Sequence, residues 1–382
     1  MKVPIILLAT LSLLLGSSLY PTRAETASTP LILTIGSGDS EPYLDADLWS
    51  FDADSGTLNL LTHDGHTDDG VISPDGQYIA YQSLAKEILP FFDNGGGVAG
   101  VLSTNIELLD LSTGKSAEIA SQPQGYTPFK GDDRDLSEGY THSDPVWSPD
   151  STALAWTERG FSFGERLVEY DLKGQKSTIL ATYPPDDVAP AIPLWGAVGI
   201  ALPIVSPHEG GFLFRVYDRG GKVLMSLPRR QFDDFPYRWL NSGDKHMLMT
   251  GSLAQGSEAP HFSEFPAGTP VEDVGKVELY NATAPDGISL REGSCERGSA
   301  CQWTMWQGGH KLTEFQTTFN EPATSNESMW LAISPDGTEA AYIDNNGLVM
   351  VNGGKVQPIT LPKSSRIEAL NWGTLAWRTD KN

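Results

Sequence analysis

Basic residues, cysteines and long apolar runs are all scarce in this 382-residue chain. Lysine and arginine number 26 against 49 aspartates and glutamates, a formal net charge of -23. Such a surface repels the phosphates of nucleic acid and anionic lipid headgroups, which excludes both as expected partners. It suits a soluble exported protein, a cation, or a basic patch on a protein or peptide partner. The two cysteines, Cys295 and Cys301, have no histidine beside them and do not complete a zinc shell. No Gly-x-Ser-x-Gly nucleophile elbow is present, so the sequence carries no hydrolase of that type. Asp52-Ala53-Asp54-Ser55-Gly56 opens like a calcium loop but lacks the closing Glu, and it sits where a hairpin turn belongs. Beyond residue 24 no stretch is apolar and long enough to cross a bilayer, so no membrane span is expected in the mature chain.

The first residues read as an export signal. Met1-Lys2 is a short positive start, Val3 to Tyr20 is mostly apolar, and Thr22-Arg23-Ala24 offers small residues before a cut. A signal peptide over 1–24 is expected rather than an anchor, because Pro4, Gly16, Ser17 and Ser18 interrupt a run that falls short of a comfortable span. The mature chain, 25–382, is expected to be one domain, periplasmic or secreted. In an oxidising compartment the Gly-containing spacer between Cys295 and Cys301 suits a local disulfide, which contributes roughly 2 kcal/mol on a chain-entropy model.

One phrase stands in the chain three times. It reads Val71-Ile72-Ser73-Pro74-Asp75-Gly76, then Val146-Trp147-Ser148-Pro149-Asp150-Ser151, then Ala332-Ile333-Ser334-Pro335-Asp336-Gly337. Each copy lies between apolar-rich and alternating segments, so each reads as strand, tight turn, strand. Proline presets φ, aspartate bonds the backbone two residues on, and glycine tolerates positive φ. Six candidate inner strands follow: 70–73, 145–148, 189–195, 236–241, 329–334 and 367–372. The second, third and fourth are about 45 residues apart, the period of a four-stranded propeller blade. Outer hairpins are equally legible, for example 47–51 with 57–62, 106–110 with 117–119, and 212–218 with 223–225.

On these residues the chain resembles the TolB-like six-bladed β-propellers, with their Ser-Pro-Asp-Gly repeat. The resemblance implies an all-β ring of four-stranded antiparallel blades. In it the first strands and the pair 369–372 and 374–377 share one blade and close the circle. The small N-terminal domain that TolB carries has no room before the first repeat, which separates this chain from TolB proper. Insertions are expected near 84–104, 122–142, 251–275 and 292–328.

Segments leading into the inner strands are acidic and carry histidines. His66 and Asp69, His142 and Asp144, Asp187 and Asp234 are expected around the mouth of a central channel. Carboxylates gathered there suit Ca²⁺ or Mg²⁺, and His63 or His66 with His142 suits a transition metal. Turn chemistry alone also predicts aspartate at these places. The Phe91-Phe92 tip before Gly95-Gly96-Gly97 is a candidate partner contact. Asn281-Ala282-Thr283 and Asn326-Glu327-Ser328 have the form of glycosylation acceptors. Two functions are compatible with this pattern. One is an exported module that binds a protein or peptide at the acidic rim or the inserted loops. The alternative is a metal-assisted lyase or hydrolase acting at the channel mouth.

Overall fold

Alternation of apolar and polar side chains makes nearly every described segment a strand. The computed structural model describes residues 29–37, 45–90, 102–130, 133–134, 139–160, 163–183, 192–206, 211–228, 238–250, 261–293, 301–317, 331–344 and 347–380. The signal segment 1–24, Phe91, Phe92, Asp187, Asp234, Cys295 and Asn326 lie outside them, as do the side chains of Asp69 and Cys301. No described helix is long and apolar enough to cross a membrane.

The strands fall into antiparallel arrays in chain order. The first opens with β1 (Leu31–Ser37), β2 (Ala46–Asp52) and β3 (Thr57–Leu60). The second is β4 (Thr67–Ile72), β5 (Tyr78–Leu84), β6 (Thr104–Asp110) and β7 (Lys115–Ala120). A small hairpin, β8 (Phe129–Lys130) with β9 (Asp133–Arg134), precedes the third. There β10 (Tyr140–His142) and β11 (Val146–Trp147) both pair with β12 (Ala153–Gly160), followed by β13 (Gly164–Asp171) and β14 (Lys176–Tyr183). The fourth is β15 (Leu194–Gly196), β16 (Gly199–Ser206), β17 (Gly211–Tyr217) and β18 (Val223–Pro228). The fifth is β19 (Arg238–Ser242), β20 (Lys245–Thr250), β21 (His261–Glu264) and β22 (Thr269–Val271). The sixth is β23 (Val277–Asn281), β24 (Ile288–Glu292), β25 (Cys301–Gln307) and β26 (His310–Thr317). The seventh is β27 (Leu331–Ile333), β28 (Glu339–Asp344), β29 (Gly347–Asn352) and β30 (Lys355–Pro358). Last come β31 (Ser365–Asn371), which pairs with β1 and completes the first array, and β32 (Leu375–Thr379).

Two expectations change here. The described strands form four four-stranded sheets, a five-stranded one and a nine-stranded one, besides the β8–β9 hairpin. The supposed insertions 251–275 and 292–328 hold β21–β22 and β25–β26, the outer halves of two arrays, not loops around one enlarged blade. The missed signal is Ala284-Pro285-Asp286-Gly287, the repeated turn with alanine in place of serine. The closing pair also divides. β31 joins the first array as expected, but β32 leaves it. It lies between β19 and β23, parallel to the former and antiparallel to the latter, and fuses the fifth and sixth arrays into one nine-stranded sheet. The expected insertion 122–142 is likewise part of the fold, since β10 pairs with β12.

Serine is the organiser of the repeated turn. Ser73 Oγ donates to Asp75 Oδ1 at 2.6 Å and accepts from the backbone N–H groups of Gln77 and Tyr78 at 3.0 Å. Ser148 repeats this with Asp150, Thr152 and Ala153, and Ser334 with Asp336 and Glu339. All three serines are buried. Gly76 and Gly337 take φ of 73° and 71°, and Ser151 is forced to 59° at the same place.

Neighbouring arrays are latched at these turns. Trp147 Nε1 donates to Val71 O at 2.9 Å, and Asp75 N to Ser151 Oγ at 3.0 Å. Asn371 Oδ1 accepts from Ile72 N at 3.0 Å, and Asn281 Nδ2 donates to Ile333 O at 3.0 Å. Asn281 is therefore buried and committed, which removes it as a glycosylation acceptor. Apolar clusters fill each seam. Ile32, Leu48, Ile72 and Ile79 lie between the first and second arrays; Val71, Ile106, Trp147 and Trp156 lie between the second and third. The succession continues through the fourth to the seventh, and Leu33, Leu348 and Leu370 pack the seventh against the first.

Candidate functional site at the junction of the second and third arrays

Two of the expected rim residues, His142 and Asp144, meet at one seam. The segment after β7 reaches it because Gln122 pins it down. Its Nε2 lies 2.8 Å from Thr104 O, 3.1 Å from Asn105 Oδ1 and 2.9 Å from Tyr140 O, while its Oε1 accepts from Tyr140 N at 2.7 Å. One glutamine thereby ties β6 to β10.

His142 is buried and turned inward. Its backbone N–H donates to Thr104 Oγ1 at 2.9 Å, and its Nδ1 faces Thr104 O. A carbonyl only accepts, so Nδ1 carries the hydrogen. Nε2 lies 3.5 Å from Glu158 Oε2, and Glu158 Oε1 lies 3.5 Å from Arg166 Nη1. Trp156 closes the other side, edge-on at 6.5 Å. Every polar neighbour of this imidazole is internal.

Asp144 has a different environment. It is half-buried at the seam, and one carboxylate oxygen accepts from Gln82 Nε2 of the second array. Burial pushes its carboxyl up to about 6, with the Gln82 hydrogen bond opposing that shift. Gln82 also stands opposite Asp68 in the β4–β5 register, and Asp68 is buried. Two acids from consecutive arrays therefore lie beside one amide donor.

His66 belongs to the preceding seam. It forms a parallel bridge with Ala46, its N–H lies 3.4 Å from Asp64 Oδ1, and its carbonyl accepts from Leu84 N at 3.1 Å. Close by, burial pushes the Glu107 carboxyl up to about 7, and the charges of Glu118 and Asp64 add to it while Lys86 opposes. Glu118 accepts from Asn105 Nδ2 at 2.9 Å. Among the described residues, no three His, Cys, Asp or Glu side chains come together as they would to hold a metal ion.

Sequence reasoning missed Gln82, Thr104, Glu107, Gln122 and Glu158. Glu107 sits in Ile106-Glu107-Leu108, where alternation assigns it to an outer face. Packing of the first array over that face half-buries it. For Gln82 and Gln122 the sequence held no signal, because a glutamine's partners are set by distant strands.

No protein-family model and no curated protein matches the chain. Solved structures similar to it include the following three. TolB from Acinetobacter baumannii is 17% identical at a TM-score of 0.43, with 92% of this chain and 67% of that one covered. The dipeptidyl peptidase 4 of Porphyromonas gingivalis is 12% identical at 0.45, covering 85% of this chain and 49% of that one, so the chain spans about half its length. The β-propeller domain of the Trilobed protease from Pyrococcus furiosus is 12% identical at 0.47, with 84% and 88% covered.

Proposed function

We propose that the chain is an exported β-propeller that binds a basic protein or peptide segment at the acidic ends of its leading strands. The succession of packed seams supports the ring. Each array packs on the next, the seventh on the first, and leading strands touch one another, as β31 does β4 and β27. Sheets packed in such a circuit share one axis, and their leading strands line it.

The observation that carries the binding reading is Asp144. A carboxyl held between two arrays with one neutral donor, and pushed up to about 6, is poorly satisfied for an anion. A lysine or arginine from a partner supplies the missing charge. In the sequence Asp69 stands, as Asp144 does, four residues before the serine of its turn. The chain's net charge of -23 steers basic segments toward these acids.

Titration calorimetry with a short oligolysine peptide tests this. Saturable binding that weakens with salt is expected, and Asp144→Asn should weaken it roughly five- to tenfold, the worth of one partly buried ion pair. Absence of binding at low salt, or full affinity in Asp144→Asn, overturns the reading. Stoichiometric uptake of Ca²⁺ or Mn²⁺ without peptide binding assigns the mouth to metal chemistry, the lyase or hydrolase alternative.

A further inference from the structure

The last strand is held in an unusual way. β31 and β32 are consecutive, yet β31 belongs to the first array and β32 lies between the fifth and sixth. Gly373, at φ +126°, makes the crossing. In the described pairing, β32 alone joins β19 to β23. Toward β23 the register is complete, from Val277 opposite Thr379 to Asn281 opposite Leu375. Toward β19 only Leu240 with Trp377 and Asn241 with Arg378 are paired, and in parallel.

Its side chains alternate as a strand inserted into a seam should. Leu375, Trp377 and Thr379 are buried, while Ala376 and Arg378 are half-buried. Arg378 Nε reaches Glu278 Oε2 at 3.3 Å. Over Trp377 lies the guanidinium of Arg238, 3.6 Å from the ring centre and fully buried. The nearest carboxylate oxygen, Glu292 Oε2, is 3.5 Å from Nη1, and Nε, Nη1 and Nη2 have no hydrogen-bond partner. A guanidinium presents five donors and cannot shed its charge, and here the Glu292 carboxylate and the face of Trp377 balance it. The seated state of β32 thus combines well-buried apolar side chains with a buried ion pair of poor hydrogen-bond geometry above them. Lifting the strand lets water reach that charge, which lowers the cost of release.

The geometry points to β32 as a releasable strap. When it leaves, β19 and β23 present facing edges one strand apart, a seam that accepts an extended partner segment by strand addition. The occupant that fits carries apolar side chains at alternate positions and a basic residue between them, as Leu375-Ala376-Trp377-Arg378-Thr379 does, because the seam offers the apolar pocket of Leu240 and Leu279 beside Glu278. The inference shares with the proposed function only the premise that the protein binds peptide segments, and it uses a different place.

The test is made on the full chain with Cys295 and Cys301 replaced by serine. A fluorescent peptide of residues 373–382 is titrated against it, followed by anisotropy. A second form adds Val277→Cys and Thr379→Cys, which face each other in the antiparallel register and can be bridged. Saturable binding to the unbridged chain is expected, with at least tenfold loss when the bridge is oxidised and recovery on reduction. Asp144→Asn should leave this binding unchanged, which separates it from the acidic rim. No binding to the unbridged chain, or equal binding with the bridge closed, overturns the strap. A chain that dimerises by exchanging β32 in place of taking up the peptide assigns the seam to a second copy and overturns the partner reading.

Discussion

The turn ends and the far ends of the arrays treat the same chemical group in opposite ways. At the Ser-Pro-Asp turns, burial works to raise Asp150 and Asp336. Hydrogen bonds from Ser148 and Thr152, and from Thr338 and Ser334, outweigh it and hold both carboxyls below their usual range. At the far end Asp144 is pushed up to about 6 and Glu107 to about 7 by burial with fewer donors. A turn supplies its donors from within a few residues, whereas an acid at a seam takes what the neighbouring array presents. One end is therefore built for stability, and the other keeps groups poised for a partner, where shifted carboxyls concentrate in functional sites.

The largest effect should come from the latch beside the turn end. Trp147→Ala removes a ring buried between the second and third arrays and its bond to Val71 O. A loss of about 3–5 kcal/mol is expected in urea denaturation, and Trp147→Phe should recover most of it, leaving about 1 kcal/mol for the hydrogen bond. A small effect for alanine would show that the seams, not the latches, hold the arrays.

The comparison sharpens with pH. Asp144 is near 6 when folded against an ordinary value of 3.8, so its contribution is complete below about pH 4 and is lost as pH rises through 6. Asp144→Asn should therefore be more stable than the parent by about 1–2 kcal/mol at pH 7.5 and equal to it near pH 4. Asp150 has the opposite sign. Its folded carboxyl is lowered, so its contribution is present above pH 4 and fades as acid protonates it, and Asp150→Asn should be the less stable chain at pH 7.5. Parallel pH curves for the two variants would erase the distinction between the ends.

Smaller effects separate the parts of the turn. Ser148→Ala strips the acceptor from Thr152 N and Ala153 N and should cost about 1–2 kcal/mol. Gln175 holds φ of 49° in the β13–β14 turn, so Gln175→Gly should raise stability by about 0.5–1 kcal/mol, read as a small upward move in Tm.

Much of this arrangement was legible in advance, and the residues show why. The three Ser-Pro-Asp phrases all became the expected turns, and Asp52-Ala53-Asp54-Ser55-Gly56 is a hairpin turn in which Asp52 Oδ1 accepts from Asp54 N and Ser55 N. Less legible was the stretch from Arg238 to Thr317. Its turns have lost the serine or run long, so two arrays read as one enlarged blade. Within the candidate site, His142 and Asp144 were singled out together, but their different fates rest on Thr104 and Gln82, which lie some 40 and 60 places away in the chain.

Strand periodicity and turn chemistry were thus settled by the sequence itself. Alternation of side chains and bonds that span five residues or fewer need nothing beyond their own segment. The tertiary structure alone decided which seam receives β32, which serine and glutamine bonds latch one array to another, and which carboxyls are pushed up. Those outcomes follow from burial between segments far apart in the chain, and desolvation depends on what packs above a group, not on what precedes it.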